Sequence, residues 1–281
     1  MRVLLVAPPT PLTRIVGPLL ARHGCELANL RLGRRPIRSA EGARPASLTR
    51  HRTDSLDAVV WLNPARTRRA QARVFVNFFS DVPRHVRWIQ TSPAALYDDA
   101  GSRWIDERWR QAPVASTIDA VEMERAVIAR GQLHGTGVVL RMARPYHRDD
   151  PWTRRMLATA RNGWTPFNGP ADAYVPMIAA EDAACAIIHA LAVPAGVYNV
   201  CDQAPATNAE LNHLVAQLTA RRTLYPLDPW LRGDARTLTA RSHRLDATAF
   251  ATATHWRPTV APTVWTGLPR VAHAPRIEAI T

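Results

Sequence analysis

Apolar residues along this chain fall into two alternating kinds of run. Short, nearly unbroken stretches at Met1–Ala7, Asp57–Leu62, Val86–Gln90, Gly137–Arg141 and Gly196–Val200 show no polar face. That is the pattern of strands buried on both sides. Glu26–Leu30 adds another strand. Between them, Ile15–His23, Ile118–Arg130, Glu181–Leu191 and Asn208–Arg221 carry apolar residues at helical spacing, with Gly24 stopping the first. Strands alternating with helices predict an α/β fold with a doubly wound parallel sheet. Proline and glycine gather between residues 144 and 178 and again from Tyr225 onward, which predicts a smaller C-terminal lobe. The segment Val74–Phe79 is apolar enough to be either core or an interface.

Composition narrows the function classes. The chain has 281 residues and 47% hydrophobic content, enough for one large core. The first apolar run is cut by Pro8 and Pro9, and no later run reaches bilayer length. We therefore expect a cytoplasmic protein with no membrane partner. Cys25, Cys185 and Cys201 form no C-x-x-C pair, and the histidines show no ligand spacing, so no metal is expected. The net charge is +13, yet all 36 basic residues are arginine, spread along the chain without a nucleic-acid-binding motif. The reading is a solvated arginine surface, no nucleic acid, and compatibility with an anionic small molecule. With no lysine anywhere, Schiff-base chemistry is closed.

The order of several local motifs resembles the NAD(P)-dependent epimerase/dehydratase family, the extended short-chain dehydrogenases. Arg2–Val6 with Leu19–Gly24 looks like the family's opening. Thr91-Ser92 through Leu96-Tyr97 is similar to its S-S-x-x-V-Y-G segment, and Val138–Arg141 with Tyr146 to its V-L-R…Y-G-P segment. Ala180–Ala184 resembles V-D-D-V-A, and Gly196–Val200 and His255–Pro258 match later landmarks. The resemblance covers residues 1 to 260 and implies a Rossmann-like core over about 1–145 and 179–200. It implies a substrate lobe over about 146–178 and 201–265, followed by a tail at 266–281. It also implies a homodimer through helices near 65–82 and 115–130.

The chain departs from that family where the family holds its cofactor. The G-x-x-G-x-x-G turn, whose backbone amides cradle a pyrophosphate, is replaced by Ala7, Thr10 and Thr13, with Pro8, Pro9 and Pro11 between them. Those prolines have no N–H to offer, and Pro18 falls inside the expected first helix. The family's catalytic Ser/Thr position holds Pro93. Its Tyr-x-x-x-Lys pair falls on Ser116 and Ala120, or on Val114 and Ile118, depending on which glutamate is aligned. Arg34 and Arg35 follow the second strand where a 2′-phosphate would be read, and surface charge is the commoner explanation.

From these losses the expectation is an enzyme without a cofactor, doing redox-neutral proton transfer, elimination, isomerisation or cyclisation on a small molecule. NADP with a remodelled loop is the alternative, and a non-catalytic ligand sensor the third reading. The candidate catalytic residues are His147, Asp119, Tyr97 and Ser92. His147 suits proton transfer near neutral pH. Asp119 lies three residues after Ser116 and so shares a helix face with it. Candidate substrate-binding residues are Thr91, Arg141, Arg144, Tyr146, Asn168 and Tyr174. Each has a plainer reading: Arg141 as a structural ion pair, Tyr97 as core, His147 and Asp119 as solvated surface.

Overall fold

The computed structural model describes residues 1–31, 53, 55–63, 69–226 and 234–260. The Arg34-Arg35 pair, the start of the 65–82 segment and the expected tail at 266–281 lie outside the described residues.

The central sheet has six strands: β1 (Arg2–Ala7), β2 (Glu26–Arg31), β3 (Ala58–Trp61), β4 (Arg87–Pro93), β6 (Gly137–Met142) and β10 (Gly196–Val200). They pair in the order β10-β6-β4-β3-β1-β2, and every pairing is parallel. The chain runs outward to β2 on one side of β1 and to β3 on the other. The strand order therefore reverses between β1 and β3, and the crevice there is where an open α/β sheet takes a ligand.

Both faces of the sheet are covered, which is why its strands read as unbroken apolar runs. Val3 and Leu5 of β1 face α1 (Pro11–Arg22) and α5 (Ala180–His189) in one core cluster. Leu4 and Val6 face the opposite cluster, which takes in α2 (Arg69–Asp81) and α3 (Ile118–His134). That second layer is aromatic. Trp61 and Trp88 stack at 5.9 Å and 23°, and Phe75 meets both edge-on.

Helix α1 starts earlier than the apolar spacing predicts. Thr10 caps it, its Oγ1 accepting from the Thr13 amide, and Pro11 occupies the first turn, where a missing N–H costs nothing. Pro18 sits inside the helix without ending it. Its ring is on the exposed face, where water can hydrate the carbonyl left without a donor.

A separate core assembles the lobe, joining Tyr146 and Met177 to Met156 and Leu157 of α4 (Pro151–Arg161) and Leu211 and Val215 of α6 (Asn208–Leu218). Its framework is the parallel pair β7 (Arg144–Tyr146) and β9 (Met177–Ala179), with the antiparallel pair β8 (Tyr174–Val175) and β11 (Ala206–Thr207). A third small pair joins β5 (Trp104–Ile105) to β12 (Arg244–Leu245). Two further helices are α7 (Asp234–Ala240) and α8 (Thr248–Thr254). Among the described residues no helix is long and apolar enough to cross a membrane.

Candidate functional site

The switch-point crevice is built from the carboxyl ends of β1, β3 and β4. After β1 the turn closes on itself. Thr13 Oγ1 donates to the Pro8 carbonyl at 2.6 Å, the Thr13 amide goes to Thr10 Oγ1, and the Arg14 amide goes to the Thr10 carbonyl. The Thr13 and Arg14 amides are thus committed within the turn, and Pro8, Pro9 and Pro11 have no N–H to offer a phosphate. Ala7, Thr10 and Thr13 form a turn of a different design from the glycine cradle.

The neighbouring strand ends carry polar groups in the opposite condition. Thr91 Oγ1 accepts from the Asn63 amide at 2.9 Å, and Trp61 Nε1 donates to Asn63 Oδ1 at 2.8 Å. The first holds the Asn63 backbone and the second its side-chain oxygen, and its Nδ2 is left buried with no acceptor. Ser92 Oγ, at the end of β4, is likewise buried without a partner. Buried polar atoms left unmade are costly and rare. Asn63 and Ser92 therefore fit a polar ligand bound across the switch point, even though the turn after β1 lacks the usual cradle.

Further along the sheet, two of the candidates are used internally. Tyr97 is fully buried and its hydroxyl donates to Asn199 Oδ1 at 2.7 Å. Burial pushes that phenol up to about 12, against the pull of the Arg141 charge. Arg141 forms a buried ion pair with Glu124, Nη2 to Oε2 at 2.9 Å, and donates to the Tyr97 hydroxyl and the Glu107 carbonyl. This network ties α3 to β6 and occupies both side chains with protein partners.

Ser116 and Asp119 do not share a helical face. A turn from Val114 to Thr117 precedes α3, and the Ser116 amide is held by Asp234 Oδ2 at 2.6 Å. Asp119 alone lies in the first helical turn. Asn168 accepts from Thr165 Oγ1 in the lobe, and Tyr174 lies under the Arg244 guanidinium. Neither is brought to the switch point by any contact seen here.

The rim beyond β6 and β10 gathers the rest. Arg144 lies over the Trp152 ring and 4.0 Å from Asp150. His147 Nδ1 accepts from the Asp149 amide, and its Nε2 lies 4.0 Å from Glu181 Oε1. Tyr146 is buried and its hydroxyl donates to Asp202 Oδ2 at 3.4 Å. Asp202 follows β10 and was not visible to sequence reasoning, because a lone acidic residue after a strand carries no motif. Burial, and then the charge of Asp182, pushes its carboxyl from 3.8 up to about 7, against the Ala179 amide and the Tyr146 hydroxyl.

This shift has a definite sign. Below 3.8 both the folded and unfolded chains hold the proton, and the group costs nothing. Between 3.8 and about 7 the unfolded chain ionises while the folded one resists, so stability is lost as pH rises, in full above about 7. Asp202→Asn cannot ionise and should stabilise the fold at alkaline pH by roughly 2 kcal/mol, short of the full linkage value because an amide is still buried. Thermal melts should show the variant about 5 °C higher on the alkaline side of neutrality and level with the parent in acid.

No family model matches the sequence. No curated protein matches it either. Solved structures do. A UDP-glucose 4-epimerase from Thermus thermophilus, in complex with NAD, aligns with a TM-score of 0.71 at 18% identity, covering 95% of this chain and 96% of that one. A UDP-glucuronic acid 4-epimerase mutant from Bacillus cereus, with a fluorinated sugar nucleotide and NAD, gives 0.73 at 12% identity, covering 95% and 96%. A dTDP-glucose 4,6-dehydratase from Bacillus anthracis, in complex with NAD, gives 0.71 at 13% identity, covering 95% and 94%. The expectation of a scaffold without a cofactor is corrected by this finding, since proteins of this shape are solved with nicotinamide dinucleotide bound. The loss of glycines that prompted the expectation changes one wall of the crevice and leaves its other wall polar. Over its described residues, the chain has the fold of the extended short-chain dehydrogenases, the fold of nucleotide-sugar epimerases and dehydratases.

Proposed function

We propose that this chain is a nicotinamide-dinucleotide-dependent oxidoreductase or epimerase whose dinucleotide turn has been rebuilt around Thr10, Pro11 and Thr13. The observation that carries the reading is the pair of buried, unpartnered groups at the switch point, Asn63 Nδ2 and Ser92 Oγ. The neighbours of this fold that hold NAD support the same reading, and their substrates suggest a nucleotide sugar or a comparable anionic small molecule. Asn63, fixed by Trp61 and Thr91, would donate to the dinucleotide from the β3 side, and Ser92 from the β4 side.

A bound nicotinamide supplies a hydride donor or acceptor beside the substrate carbon. The chain itself has to move the accompanying proton without a Tyr-x-x-x-Lys pair. We assign that role to His147, at the rim beyond β6. With Nδ1 accepting from the Asp149 amide, the neutral ring carries its proton on Nε2, facing Glu181. Burial in the Arg141–Glu124 network keeps Tyr97 out of that role.

The test is calorimetric titration with NAD⁺, NADH, NADP⁺ and NADPH. Micromolar binding of at least one is expected, and Asn63→Leu should weaken it about tenfold, the value of one lost hydrogen bond in a buried site. Absence of heat from all four dinucleotides would overturn the proposal. Binding without turnover of any sugar nucleotide would favour a ligand-sensing protein, a reading that fits the loss of the Tyr-x-x-x-Lys pair in either alignment.

A further inference from the structure

Away from the switch point, where β9, β10 and the lobe meet, a small cavity opens beside Asp202. Its walls are largely apolar, with Val175, Met177, Leu211 and Leu245 among them, and His243 at one side. The interior measures about 20 Å³, enough for one water-sized group, and is partly open to solvent. Asp202 is 8% exposed and lines this cavity, and its Oδ1 has no hydrogen-bond partner. The other oxygen, Oδ2, takes the Tyr146 hydroxyl.

We propose that this cavity is a binding site for a primary ammonium group on a short apolar stem, with Asp202 Oδ1 as its acceptor. The charges around it select for a cation. Asp182, at the start of α5, raises the cost of a second negative charge at Asp202. A neutral donor would satisfy only the empty oxygen, whereas an ammonium also offsets that repulsion. Among the described residues, the groups that face Asp202 from the surrounding elements add no competing cation. Tyr146 on β7 is held protonated by burial, and Cys201 is a buried thiol pushed the same way. His243 is kept neutral to about 4, by burial first and then by the Arg241 charge, and its Nε2 is engaged with the Tyr97 carbonyl. The interior accepts a group the size of an ammonium, and the apolar walls accept the stem.

The test uses propylammonium and its neutral isostere 1-propanol as probes, read by NMR of the Val175, Leu211 and Leu245 methyl groups. Propylammonium is expected to shift those methyls, and 1-propanol to bind about tenfold more weakly or not at all. Propylammonium affinity should fall about tenfold or more from about pH 8 to about pH 5.5, as the population of ionised Asp202 shrinks. Asp202→Asn should abolish the difference between the two probes. Equal binding of the two probes to the native protein, an affinity that ignores pH, or no methyl shift at all would each overturn the proposal. The first two comparisons use the native protein alone, so they decide the matter without the variant.

Discussion

Arg141→Met is expected to lower the melting temperature by roughly 10 °C, a loss of about 3–5 kcal/mol. The guanidinium is 5% exposed and its partner Glu124 is 1% exposed. Methionine fills much of the space but leaves a buried carboxylate with only Gln111 Nε2, at 3.0 Å, to satisfy it. It also removes the donor to the Tyr97 hydroxyl and to the Glu107 carbonyl. The cost comes from stranding a charge, and this makes the prediction separable from simple loss of packing. The double variant Arg141→Met, Glu124→Gln should recover a substantial part of the loss, because the stranded carboxylate is gone. Thermal melts of both single variants and the double settle it, and strictly additive losses would show that the pair does not act as a unit.

Gly137→Ala should be comparably severe, at about 3 kcal/mol or more. A Cβ on Gly137 would lie 2.0 Å from the Val127 carbonyl oxygen and 2.7 Å from the Gly131 amide nitrogen. Both are backbone atoms of α3, so nothing nearby can rotate out of the way. Gly131 answers from the helix side, where a Cβ would meet the Gly137 carbonyl at 2.8 Å. The two glycines let α3 cross the start of β6 at backbone contact, which sets the depth at which Glu124 meets Arg141. A melting temperature within about 2 °C of the parent would show that helix and strand can separate at little cost.

The sheet was legible in the sequence because burial on both faces leaves β1 and β3 almost wholly apolar and β6 and β10 mostly so, while β4 showed through its Trp88-Ile89 centre despite Arg87, Gln90, Thr91 and Ser92. The start of α1 was not, because the prolines around Thr10 read as a turn, while one of them, Pro11, sits in the first helical turn. At the site, Arg141 could be read either as a structural ion pair or as a substrate contact, and only the position of Glu124 across the sheet decides between them. Asn63 and Asp202 left no trace in the pattern. Asparagine before a proline and aspartate after a strand are ordinary loop residues, and their significance lies in atoms that the fold buries without partners. The expectation of no cofactor failed for a related reason. It weighed the lost glycines of the turn after β1, and Asn63, after β3, belongs to no motif that could have balanced them.

The stacked Trp61 and Trp88 rings give the molecule an optical consequence. Two indoles 5.9 Å apart and inclined by only 23° are close enough for their transition dipoles to couple, so the near-ultraviolet dichroism of this paired chromophore should follow small changes in its geometry. Because the Trp61 N–H is bonded to Asn63, that chromophore is wired to the lip of the crevice. The protein carries its own label at the place where a ligand would enter.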